Sequence, residues 1–140
     1  MCSLQRPLDT KTQVRVAVEA EAMLSVIVLW EAGQIELVSS FALVFEAEQI
    51  SLAERRAYIL EVLAKANVSI ARSRSIEEWA QRFVKAGIKP LDALHLSAAI
   101  DAQADYFCTC DDRFLGRAKE AETSLVKVVS PLELVTEIAI

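Results

Sequence analysis

The segment 89–114, KPLDALHLSAAIDAQADYFCTCDDRF, constrains the fold more than any other part of the chain. Pro90 suits the first turn of a helix, where a missing backbone N–H costs nothing, and that helix runs to about Ala102. Residues 106–110 come next, uncharged and largely apolar, as in a strand covered on both faces. Asp111 or Asp112 then caps another helix. The two legs match in length. The helix descends from Asp92 by roughly 16 Å at 1.5 Å per residue. The strand climbs back by roughly 16 Å at 3.3 Å per residue. Asp92 and Asp111, nineteen positions apart, are therefore expected at one sheet edge. That edge is the carboxyl end of the strands, where open α/β sheets place their ligands.

The rest of the chain repeats the alternation. Residues 12–32 read as a long helix, with Val14, Ala17, Val18, Met23, Leu24, Ile27 and Val28 recurring near the helical period. Its end, VIVLW, is apolar all round and is expected to be deeply buried or in an interface; Gly33 fits the stop after it. IELVSS (35–40) leans to strand, and FALVFEAEQ reads as a helix. Ser51 opens a capping-box pattern, S-L-A-E, and a helix to about Asn67; VSI is a short extended piece. Ser75 opens a second box, S-I-E-E. Ile76, Trp79, Ala80, Phe83 and Val84 then mark an amphipathic helix that ends at Gly87. VKVVS is the last strand, and Pro131 opens a terminal helix. Strands alternating with helices predict an α/β fold with a mainly parallel sheet between helical layers. With 140 residues and little Gly or Pro, one domain over 1–140 is expected. About three strands are visible, which is thin for such a sheet.

Composition excludes several classes. The longest uncharged apolar-rich runs, 22–30 and 37–45, are nine residues each, too short to cross a bilayer. The N-terminus lacks a basic region followed by an apolar run, so no signal peptide is expected and the cytoplasm is the expected location. Three cysteines do not make a disulfide framework, and a CxC beside a single histidine is a poor zinc site. Cys108 and Cys110 read as small buried hydrophobes, and Cys2 as exposed. A net charge of −5 disfavours a broad basic face, so any nucleic-acid contact would need a local positive rim.

A third carboxylate source reaches the same edge. The helix after IELVSS carries Glu46 within an otherwise apolar stretch, and Glu48 at a more easily solvated position. A carboxylate among apolar side chains is costly without a partner. Converging carboxylates repel unless a hard cation such as Mg²⁺ or Mn²⁺ joins them, and such ions drive phosphodiester hydrolysis. Taken singly, Asp92 is also explained as a helix N-terminal acid and Asp111 or Asp112 as an N-cap. His95, one turn after Asp92, reads as a packing or local hydrogen-bonding residue.

These residues carry a resemblance. KPLDALHLSAAIDAQADYFCTCDDRFL resembles the C-terminal half of a PIN domain, with an acid opening a DALH-like helix and a T-x-D-x-x-F pattern at Thr109, Asp111 and Phe114. ELVSSFALVFEAE resembles the segment that supplies the family's glutamate. The resemblance implies a three-layer α/β/α domain and Mg²⁺- or Mn²⁺-dependent endoribonuclease activity, and many members are toxin halves of toxin–antitoxin pairs. It assigns Glu46, Asp92 and Asp111 to the metal site as catalytic acids, with Asp112 as an extra. Lys85, Lys89, Arg113 and Arg117 would supply the positive rim to an RNA substrate, although taken singly each reads as part of a solvated helix face. One departure stands out: such domains begin with a central apolar strand ending in a ligand aspartate. Here MCSLQRPLD resembles the segment just after that strand, so the first central strand is expected to be missing. Asp9 mimics the ligand, but MCSLQRP makes a poor central strand, because Pro7 cannot donate to a ladder. The competing expectation is a catalytically inactive PIN-like interaction module. A receiver-type phosphoacceptor fits less well, because its acidic pair lies near the first strand, whereas Asp111 and Asp112 come late. The apolar first helix suggests a homodimer or a partner protein such as an antitoxin.

Overall fold

The computed structural model describes residues 2–10, 13–121 and 125–138. Its elements are α1 (Cys2–Gln5), a 3-10 turn (Arg6–Leu8), α2 (Val14–Glu31), β1 (Val38–Ser40), α3 (Phe41–Glu48), α4 (Ala53–Ala64) and β2 (Val68–Ile70), followed by α5 (Arg74–Lys85), α6 (Pro90–Asp101), β3 (Tyr106–Cys108), α7 (Asp112–Glu120), β4 (Lys127–Val129) and α8 (Pro131–Ile138). The α/β class and the parallel pairing hold. The described residues contain four strands where about three were visible, since the short VSI piece does pair as β2. The strands do not join into one sheet. β1 pairs with β2 (Val38 opposite Val68) and β3 with β4 (Tyr106 opposite Lys127), giving two parallel two-stranded sheets.

Helix α6 packs against both β1 and β3 and so links the two sheets. Its sequence is apolar nearly all round, which suits a helix enclosed on all sides. Ala93, Leu96, Ala98, Ala99 and Ile100 are buried, and Leu96 joins Phe83 of α5, Phe114 of α7 and Val128 of β4 in the main core. Ser97 is buried too, and its hydroxyl donates to the Ala93 carbonyl at 2.6 Å. A second cluster, Ala47, Ile59 and Leu63, lies between α3 and α4 with Leu4 against it. Residues 2–5 are helical rather than extended, in line with their poor fit to a strand. Ser3 Oγ donates to the Cys108 carbonyl of β3 at 3.1 Å.

Several boundaries differ from expectation for local reasons. Ser75 is not the cap of α5. Ser73 accepts from Ile76 N at 3.3 Å, and Glu77, next to the acid of the expected box, pairs with Arg72 at 2.6 Å. Ser51 does not cap α4 either: the N-cap is Leu52, and Arg56 donates to the Ile50 carbonyl at 2.9 Å across that turn. The VIVLW end of α2 is not deeply buried. Val28 is 63% exposed, and the buried residues of α2 are Glu19, Ala20, Ala22 and Met23, since α2 packs on the 3-10 turn and α8 rather than inside the main core. Cys110 is buried and Cys108 half-buried. They are more than hydrophobes, because Ser3 Oγ lies 3.6 Å from the Cys108 sulfur and 3.7 Å from that of Cys110. The expected exposure of Cys2 concerns a side chain outside the described ones. No described helix is long and apolar enough to cross a membrane.

Candidate metal centre

Asp92 is held by the start of α6. Lys89 is the N-cap in extended conformation, Pro90 fixes the first turn, and Asp92 projects half-buried from that turn. Asp111 is held by the end of β3. Thr109 N donates to the Val129 carbonyl at 2.9 Å, prolonging the ladder, and Thr109 Oγ1 accepts from Asp111 N at 3.1 Å. Asp111 Oδ1 then accepts from Arg113 N at 3.0 Å and Phe114 N at 3.2 Å as the cap of α7. Phe114 is buried in the main core. The T-x-D-x-x-F spacing thus has a local cause: Thr109 fixes the backbone of Asp111, Asp111 caps α7, and Phe114 anchors the helix.

Glu46 arrives from the other half of the molecule. Ser40 ends β1 and caps α3 by accepting from Leu43 N at 3.2 Å, so Glu46 falls on the second turn, half-buried. The partner that its burial demands is His95, whose Nε2 lies 2.5 Å from Glu46 Oε2. Burial alone would raise the Glu46 carboxyl, yet it lies below its ordinary value, because the hydrogen bond from His95 and surrounding positive charge together outweigh that penalty. Asp92 is pushed the other way. Burial raises it most; His95 offsets part of this, and the charges of Asp111 and Glu46 raise it further. Asp92 thus senses both other acids, and its nearness to Asp111 is the one that the matched helix and strand lengths predict.

Two further aspartates are committed elsewhere. Asp112 is exposed and takes a two-pronged pair from Arg15 at 2.6 and 2.7 Å, which holds its carboxyl below the ordinary value. It ties α2 to α7, contrary to an extra ligand role. Asp9 pairs with Arg6 at 3.0 Å and Arg55 at 2.9 Å, fastening the N-terminal segment to α4. These arginines, and the His95–Glu46 bond, went unforeseen in the sequence. Their partners lie 46 to 97 residues away, apart from the local Arg6–Asp9 pair, and no spacing rule reaches that far.

Among the described residues, no three His, Cys, Asp or Glu side chains stand close enough to hold one ion between them. Asp92 and the two acids whose charges reach it, Asp111 and Glu46, are hard oxygen donors. Mg²⁺ is commonly held by one or two carboxylates while it keeps several waters, so these donors fit such an ion. Four exposed cations, Lys85, Lys89, Arg113 and Arg117, pair with no described carboxylate. They share one corner. Lys89 opens α6, Arg113 opens α7, and the Arg117 guanidinium sits so near Gly87 that a Cβ there would meet it at 2.6 Å.

The family model for the PIN domain matches residues 4–120. That family consists generally of metal-dependent nucleases and binds RNA. No curated protein and no solved structure matches the chain.

Proposed function

We propose that this chain, which belongs to the PIN domain family, is a metal-dependent endoribonuclease with Glu46, Asp92 and Asp111 as its acidic site. One observation carries the reading. Asp92 is half-buried, is raised by burial and by two neighbouring acids, and pairs with no described lysine or arginine. Such a carboxylate is costly until a cation joins it. A bound Mg²⁺ or Mn²⁺ would activate a water at neutral pH and neutralise charge on the phosphate. Glu46 and Asp92 would hold the ion. Asp111 offers its Oδ2, since Oδ1 is used by two backbone N–H groups. The unpaired corner of Lys85, Lys89, Arg113 and Arg117 gives RNA phosphates a local positive rim in a protein of net charge −5.

The test is cleavage of single-stranded RNA by the purified chain. Cleavage that needs Mn²⁺ and stops on chelation is the expected outcome. A second reading, a catalytically inactive interaction module, is favoured by the lack of a three-ligand cluster among the described residues. Absence of cleavage at saturating Mn²⁺ selects it. We also read 1–140 as a single domain acting in the cytoplasm. In α2, Val14, Val18, Leu24 and Val28 are exposed apolar residues suited to a homodimer or an antitoxin partner. A monomer by light scattering, with and without a candidate antitoxin, counts against both.

A further inference from the structure

His95 lies one turn beyond Asp92 on α6 and is 4% exposed. Around it the helix buries Ala93, Leu96, Ala98, Ala99 and Ile100, where an apolar side chain would pack at no polar cost. Yet a histidine stands there. Its Nδ1 is buried without a hydrogen-bond partner among the described residues. Its Nε2 is 2.5 Å from Glu46 Oε2, across 49 positions of chain. Nε2 faces a carboxylate oxygen, so it carries the proton and donates. The ring therefore spends its burial on one bond, and that bond reaches the candidate site rather than its own helix.

We infer that His95 is a positioning residue: its Nε2–H holds Glu46 Oε2, fixes the glutamate rotamer at the junction of α3 and α6, and leaves Oε1 for a divalent cation shared with Asp92. The inference rests on the metal-site reading above. A glutamate has three side-chain torsions to fix before it can ligate, and a donor on its far oxygen fixes them in advance. Donors behind ligating groups orient them in the same way at other metal sites. The bond also couples the two halves of the molecule, since Glu46 follows β1 while Asp92 and His95 belong to the helix that leads into β3.

The experiment is Mn²⁺ binding by calorimetry without RNA, on the full chain. His95→Gln keeps a donor able to reach Oε2, His95→Asn is too short, and His95→Leu removes the donor while keeping apolar packing. Each variant is checked by circular dichroism and thermal unfolding, so that a folded donor-free protein is available from Asn or Leu. Loss of the donor is expected to weaken Mn²⁺ binding about 10-fold or more, and His95→Gln to stay within about three-fold of the wild type. Wild-type affinity in a folded Asn or Leu variant overturns the positioning role and leaves the metal site standing. A wild-type chain that binds no Mn²⁺ removes the metal site and the positioning role together.

Discussion

At Asp92 the proposed metal site would come at a cost in stability. Its carboxyl is raised above its ordinary value of 3.8, by burial first and then by Asp111 and Glu46, against the opposing charge of His95. The folded state therefore binds this proton more tightly than the unfolded state does. The ionised form works against folding, and the penalty grows as pH rises from 3.8 through the raised folded value. Asp92→Asn removes the charge and keeps the shape. Without added metal at neutral pH, it is expected to raise Tm. A lower Tm in a calorimetric scan would contradict the assigned strain. The approach of Asp111 to Asp92 was legible, because helix rise and strand rise bring both to one edge. The partner of Glu46 was not, because the bond to His95 depends on how α3 and α6 pack.

The elements make their own predictions. Leu96 is fully buried on α6, the helix that touches both sheets, so Leu96→Ala should cost about 2–5 kcal/mol in urea denaturation. A cost below about 1 kcal/mol would mean that the helix is less enclosed than its burial indicates. At the start of α5, Ser73→Ala should cost about 1 kcal/mol. Ser75→Ala should stay within about 0.5 kcal/mol, because Ser75 is exposed and lies inside the helix. The reverse order would restore Ser75 as the cap. Helix types and most strand positions were legible from period and from Pro90 and Gly87. The boundaries were not, because Ser73 and Ser75 offer the same capping oxygen and only the folded backbone shows which one meets the Ile76 N–H.

For the whole molecule, charge and topology set the terms. Most described arginines and lysines outside the corner of Lys85, Lys89, Arg113 and Arg117 are spent on carboxylates. Arg113→Ala with Arg117→Ala should then weaken RNA binding and flatten the salt dependence of log K by about 0.7 for each phosphate no longer neutralised. An unchanged slope would move the RNA path elsewhere. The alternation of elements predicted parallel strands, but their division into two pairs was beyond it, since periodicity identifies a strand without naming its neighbour. Whether Glu46, Asp92 and Asp111 form a metal-dependent ribonuclease site is tested most directly by single-stranded RNA cleavage at saturating Mn²⁺, comparing the wild-type chain with Asp92→Asn. A drop on the order of 100-fold or more in a folded variant is predicted. Equal Mn²⁺-dependent rates, or no cleavage by the wild-type chain, would contradict it.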